Sequence, residues 1–136
     1  MASNFKLDII TPDGVAYSED VDMVTLPGVE GQMGVLPQHT PLMTEMVPGE
    51  IIVSKDGHDH FLAVGEGLVE VTGDHVSILT DMALAADKID EVKVEEARQR
   101  AQARLQEKLS DEEVACVNAS LARSLAQLQV KRRQQR

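Results

Sequence analysis

Aromatic residues are almost missing from this chain of 136 residues: Phe5, Tyr17 and Phe61 stand alone, and there is no tryptophan. A core must therefore be assembled from Val, Leu, Ile, Met and Ala, and stacking platforms for bases or sugars are scarce. Cysteine occurs once, at Cys116, which excludes a disulfide framework and a cysteine-ligated zinc site. Positive charge is also short, with 13 Lys and Arg against 23 Asp and Glu and a net charge of -10. Nucleic acid is not an expected partner, because phosphate contacts need clustered Lys and Arg. No apolar run approaches the roughly 20 residues that span a bilayer, and no signal-peptide pattern opens the chain. The expectation is a soluble cytosolic protein.

These shortages are unevenly distributed. Residues 88–136 contain neither glycine nor proline, so all 9 Gly and 5 Pro lie before them. Residues 1–87 carry only Lys6 and Lys55 against 15 acidic groups, whereas residues 88–136 carry 11 basic and 8 acidic groups. Charge alone places a boundary next to Asp87. The hydrophobic period changes at the same point, which divides the chain into expected units 1–86 and 87–136.

In the first unit, apolar residues come in short runs with period-two stretches. Phe5, Leu7 and Ile9 alternate with Lys6 and Asp8, and Thr11-Pro12-Asp13-Gly14 is a turn signal. Ile51-Ile52-Val53 ends at Asp56-Gly57, the favoured hairpin dipeptide. Runs at His58 to Val64, Leu68 to Val71 and Val76 to Leu79 follow, separated by Gly65-Glu66-Gly67 and Thr72-Gly73-Asp74. About ten short strands with turns at intervals of roughly 8 to 12 residues predict a β-sandwich or barrel.

The second unit reads as helix. Ile89, Asp90 and Val94 fit a hydrophobic staple around an aspartate N-cap, and Ser110 with Glu113 makes a capping box stapled by Leu109 and Val114. Apolar stripes follow at Val94, Ala97, Ala101, Leu105 and at Val114, Val117, Leu121, Leu125, Leu128. Two helices of about 20 residues with almost no loop between them predict an antiparallel helical hairpin. Ala97 and Ala101 stand where leucines would make a strong seam. At about 0.8 kcal/mol per buried methylene, each gives up on the order of 2 kcal/mol. A hairpin held this weakly suits a part that detaches.

Chemistry is sparse. Gly28, Gly31 and Gly34 have the wrong spacing for a phosphate loop and no following Gly-Lys pair. No serine nucleophile elbow is present. His58 and His60 share one strand face, as metal ligands could, but they follow a hairpin turn where polar residues are normally solvated. No metal site is expected. The mixed charges from Lys88 to Glu96 read as a solvated helix start. The basic cluster Lys131, Arg132, Arg133 and Arg136 complements a helix C-terminus and equally suits an acidic surface on a partner protein.

Residues 26–43, LPGVEGQMGVLPQHTPLM, followed by Pro48-Gly49-Glu50-Ile51, closely resemble the signature of the epsilon-subunit family of F-type ATP synthases. Gly65 to Val71 (GEGLVEV), Val76 to Leu79 and the Ala85 to Asp90 hinge add to the resemblance, which extends over essentially the whole chain. It implies a non-catalytic rotor subunit of a membrane-bound, proton-translocating complex, with a sandwich that binds the gamma shaft and rests on the c-subunit ring. Glu30, Gln32 and His39 match the positions that face these partners, although Gln32 replaces the glutamate common there. The opening loop is then a docking edge.

The family's hairpin folds against the sandwich or extends into the catalytic head, where it blocks ATP hydrolysis. The resemblance thus implies contacts to the alpha and beta subunits, for which Arg98, Arg100, Arg104, Arg123 and the Lys131, Arg132, Arg133 and Arg136 cluster are the candidates. Some members also bind ATP in the folded hairpin through an Ile-Asp-x-x-Arg-Ala motif. The matching residues are Ile89, Asp90, Lys93 and Val94. Lys93 lacks the guanidinium fork, Val94 is bulkier than alanine, and Gln127 falls where an arginine is expected, so any ATP binding should be weak. The alternative functions are an ATP-sensing regulatory module and, from a different class, a metal-dependent sandwich enzyme. Lack of a presequence points to a peripheral protein on the cytoplasmic face of a bacterial energy-coupling membrane.

Overall fold

A computed structural model describes residues 4–134. Ten strands come first: β1 (Phe5–Thr11), β2 (Gly14–Val21), β3 (Met23–Gly28), β4 (Gly31–Val35), β5 (Leu42–Met46), β6 (Gly49–Lys55), β7 (His58–Val64), β8 (Gly67–Val71), β9 (His75–Thr80) and β10 (Ala83–Ala85). A short 3-10 turn at Ala86–Lys88 leads into helices α1 (Glu91–Arg104) and α2 (Asp111–Gln134). The strands run in the order β10-β7-β6-β3-β5-β8-β9-β1-β2, with β4 paired to β3. Only the Gly28–Met46 pair links β3 to β5, so the sheet falls into two leaves that fold over one another. All pairs are antiparallel except β1 with β9, where Leu7 lies opposite Val76 and Ile9 opposite Ile78.

Period-two alternation positions the core. Phe5, Leu7 and Ile9 of one leaf meet Ile51, Val53, Leu62 and Val64 of the other in a single buried cluster. Fully burying such side chains contributes roughly 1.5–3 kcal/mol each. Every buried member of this cluster lies between Phe5 and Ile78, so the sandwich has a core that owes nothing to the helices. The Asp56-Gly57 turn takes positive φ at both residues, 53° and 77°, as a two-residue hairpin of this handedness demands.

On the outer face of β1, β2 and β9, Ser18 and His75 Nε2 (2.8 Å) hydrogen-bond the two carboxylate oxygens of Asp8. First the Ser18 hydroxyl and then His75 hold the Asp8 carboxyl below its ordinary value of 3.8. A depressed folded value stabilises above the unfolded value and is lost as pH falls through the folded one. Asp8→Asn should therefore lower the urea midpoint at about pH 7, with the gap to the native chain narrowing by about pH 3. A gap that stays constant on acidification would rule this network out as the cause.

The hairpin lies across the outer face of β6 and β7. A second, smaller cluster joins Ala63 of β7 and Ala86 to Ile89, Val94, Ala126, Leu128 and Val130. Three of these are alanines, Ala63, Ala86 and Ala126; Ala97 and Ala101, singled out by the sequence, are not among them. Asp90 caps α1 by accepting from Val92 and Lys93 backbone N–H. Ser110 and Glu113 close the expected capping box at α2, and these bonds from Ser110 hold the Glu113 carboxyl below its usual range.

Two details differ from the sequence expectation. Helix α1 has 14 residues, not about 20, and six residues, 105–110, separate it from α2. The capping box requires an extended Ser110 with Leu109 outside the helix, so the chain leaves α1 earlier. Leu125 is exposed, whereas Ser124, Ala126 and Val130 are buried. In its C-terminal half, α2 packs on α1 with one face and on β6 and β7 with another, and Leu125 falls in the arc left to solvent.

Candidate docking face and hairpin seam

The sandwich has two outer faces, and only one is covered. On the uncovered leaf, cross-strand register aligns Val15 with Ile10, Ile10 with Leu79, Leu79 with Leu68, and Leu68 with Glu45. Residues directly opposite share a face, so Val15, Ile10, Leu79 and Leu68 form an apolar row over four strands. Val15 is 66% and Leu79 50% exposed. At the end of this row a shallow depression of about 320 Å³ is lined by Val29, Glu30, Met43, Thr44, Glu45 and Leu68, with Met43 61% exposed. A contiguous apolar strip of this kind, with Ile10 half-buried between exposed neighbours, is a candidate interaction surface.

Glu30 thus stands beside the apolar strip, in the β3–β4 turn where Val29 N–H donates to Glu45 O at 3.2 Å. Gln32 lies exposed on β4, opposite Pro27. His39 sits in the connection to β5, with Nδ1 2.7 Å from Thr40 O; that oxygen only accepts, so Nδ1 carries the hydrogen. Neighbouring Gln38 adopts a φ of 62° and ties the connection to the β8–β9 turn through Gly73 O at 3.0 Å. Glu30 stands beside the C-terminal end of β5 and His39 precedes its N-terminal end, so the length of that strand, about 14 Å at roughly 3.4 Å per residue, lies between them. The three side chains are spread along an edge rather than gathered in a pocket, which suits a protein surface better than a small ligand.

The basic candidates divide into two groups. Arg123 pairs with Asp81 at 3.2 Å, Lys131 Nζ donates to Ala86 O at 3.3 Å, and Arg133 pairs with Glu50 at 2.8 Å. These three reach the sandwich. Arg98 pairs with Glu95, Arg104 with Glu113 at 3.6 Å, and Arg132 with Glu91 and Glu95 at 3.8 Å each, all within the hairpin. The Arg98 hydrogen bond holds the Glu95 carboxyl below its usual range and raises Arg98 in turn. Arg100 is exposed, and Arg136 lies outside the described residues.

The ATP candidates do not converge. Ile89 is buried in the seam, the Asp90 carboxylate is committed to the helix cap, and Lys93 is exposed on α1. Gln127 Nε2 lies 2.9 Å from Met82 Sδ. His58 and His60 are exposed, and among the described residues no group of three or more His, Cys, Asp and Glu is placed to hold a metal.

Glu50 is the residue that sequence reasoning missed. Two signals pointed to it. The unbroken run Ile51-Ile52-Val53 implies a strand covered on both faces, and Glu50 is in phase with Ile52 on the second of those faces.

Comparison with known proteins bears on the same two elements. The family model described as "ATP synthase, Delta/Epsilon chain, beta-sandwich domain" matches residues 4–86, and "ATP synthase, Delta/Epsilon chain, long alpha-helix domain" matches residues 87–132. The ATP synthase epsilon chain of Herpetosiphon aurantiacus is 42% identical over 125 residues, covering 92% of each chain. That of Bacillus subtilis is 41% identical over 109 residues, 80% of this chain and 83% of the relative. Among solved structures, a chain in the Euglena gracilis mitochondrial ATP synthase (OSCP/F1/c-ring, rotational state 1) superposes over 100% of this chain and 84% of its own. Its TM-score is 0.79 at 22% identity, a likeness of fold. Sandwich and hairpin, matched end to end, make this chain a member of the ATP synthase delta/epsilon chain family.

Proposed function

We propose that the chain is a non-catalytic rotor subunit of a proton-translocating F-type ATP synthase. Residues 1–86 couple the central gamma shaft to the c-subunit ring. Residues 87–136 inhibit ATP hydrolysis by leaving the sandwich and reaching the alpha and beta subunits of the catalytic head. The observation that carries this reading is the bare apolar row on one outer face of a sandwich whose other face is occupied by its own helices. A rigid, preformed strip binds with little ordering cost, and Glu30, Gln32 and His39 extend it toward the ring. The weakly seated hairpin and its arginines supply the mobile, basic part. Among the described residues no helix is long and apolar enough to cross a membrane; the proposed place is that of a peripheral subunit on the cytoplasmic face of a bacterial energy-coupling membrane.

The test is ATP hydrolysis by a matching head with its shaft, given either the full chain or one ending at Asp87, after both have been shown to bind the shaft. The shorter chain keeps the whole sandwich core and should bind. Only the full chain should suppress hydrolysis. If both bind and neither suppresses, the hairpin is not inhibitory; if the shorter chain fails to bind, the sandwich is not the anchor.

A further inference from the structure

Glu50 is the only buried charged residue among the described residues. It lies on β6 opposite Ala63 and shares that residue's face. Ala63 packs in the cluster with Ala126, Leu128 and Val130, so the hairpin is what covers Glu50. Arg133 Nε donates to Glu50 Oε2 at 2.8 Å, and the Arg133 guanidinium lies 5.2 Å from the centre of the Phe61 ring. Glu50 Oε1 is buried without a hydrogen-bond partner.

The Glu50 side chain is 2% exposed but that of Arg133 is 41% exposed, so burial in this pair falls on the carboxylate, and removing Arg133 leaves a buried charge, which is strongly destabilising. The pair therefore makes docking conditional. With Arg133 in place the hairpin can cover Glu50. If Arg133 is drawn elsewhere, covering Glu50 strands a carboxylate away from water, while the open state leaves it hydrated. Arg133 is also one of the cations assigned above to the catalytic head.

We propose that buried Glu50 and the acidic surface of the head compete for Arg133, so that Glu50 is an internal receptor that holds the hairpin down until the head takes its cation. This rests on the inhibitory reading of the hairpin. Docking and inhibition are coupled through one side chain, and losing the Glu50 contact and gaining the head contact become a single exchange.

The test uses the full chain. A donor–acceptor pair on the native, exposed Cys116 and on Asp13→Cys in the exposed β1–β2 turn reports the detached fraction in the isolated subunit. Hydrogen bonds to charged groups set the scale, so Glu50→Gln should raise that fraction about tenfold or more, and Arg133→Gln should also raise it. The double variant Glu50→Leu with Arg133→Leu, which replaces the ion pair by an apolar one, should return to the docked state. In the hydrolysis assay the signs separate: Glu50→Gln inhibits more strongly than the native chain, whereas Arg133→Gln and the double variant inhibit less. A detached fraction unchanged in Glu50→Gln overturns the proposal, as does equal inhibition by Glu50→Gln and Arg133→Gln. Hydrolysis untouched by the native chain and by every variant overturns the inhibitory reading instead, and the detached fractions still decide whether Glu50 holds the hairpin.

Discussion

Replacing Gly67 by alanine should lower the stability of the sandwich by about 3 kcal/mol or more, a large share of the 5–15 kcal/mol typical of a domain. A Cβ at this position would lie 2.1 Å from Leu79 O and 3.0 Å from Leu79 C and Thr80 Cα. The obstacle is backbone, and it cannot yield easily. Gly67 is held on both sides, opposite Met46 of β5 and Thr80 of β9, and Thr80 Oγ1 is fixed by bonds to Glu66 O at 2.9 Å and Met82 O at 3.2 Å. Gly65 is the informative control. Its added Cβ would meet Asp81 Oδ1, the far end of a side chain that can swing away. Gly65→Ala should therefore cost much less and act by loosening the Asp81–Arg123 pair. Denaturant midpoints of the two variants compare them directly; equal midpoints would show that the Leu79 carbonyl moves aside and that the close approach is not structural.

Placing glutamate at both Met43 and Leu68 should weaken binding to the purified shaft subunit by about thirtyfold or more, the loss of about 2 kcal/mol expected at an interface hot spot. Both residues line the depression beside Glu30, and both are exposed in the isolated chain. The register sets Leu68 opposite Glu45 and Met43 opposite Glu70, and like charges directly opposite one another destabilise a sheet, so the denaturant midpoint is measured first and binding is compared for the folded chain. Desolvating two carboxylates against an apolar partner is costly, which places the binding loss of the folded chain in the complex. The same pair of changes should leave the hairpin docked, because it sits on the other face. Undiminished binding would move the shaft contact away from the Leu68–Leu79 row.

Legibility in the sequence follows the range of the interactions involved. Strand β1 announces itself by the alternation of Phe5, Leu7 and Ile9, β7 by the Asp56-Gly57 turn before it, and both helix starts are written in capping residues. Strand β10 is three small residues, Ala83 to Ala85, held by pairing with Leu62, Ala63 and Val64; nothing local marks it. The parallel β1–β9 pairing likewise leaves no trace in either segment. On α2 the stripe through Leu121 and Leu125 suggests one buried face, because periodicity alone cannot reveal that a second layer meets the helix from another side. Glu30, Gln32 and His39 are proposed as docking residues from the resemblance alone, whereas the apolar row beside Glu30 needs the register of four strands. Composition marks Ala97 and Ala101 on α1, whereas the alanines of the cluster beneath the hairpin are Ala63, Ala86 and Ala126, which no local pattern singles out.

The parallel pairing of β1 with β9 also governs how the chain is made. As it leaves the ribosome, β1 can close a hairpin with β2, but its other edge stays unpaired until His75–Thr80 has been synthesised. Long-range pairing of this sort is slow and leaves strand edges open meanwhile. The sandwich therefore cannot finish in the order in which it is translated, and the first strand waits for the ninth. The helices emerge after the β6–β7 surface on which they rest, so the seat of the hairpin is synthesised before the hairpin itself.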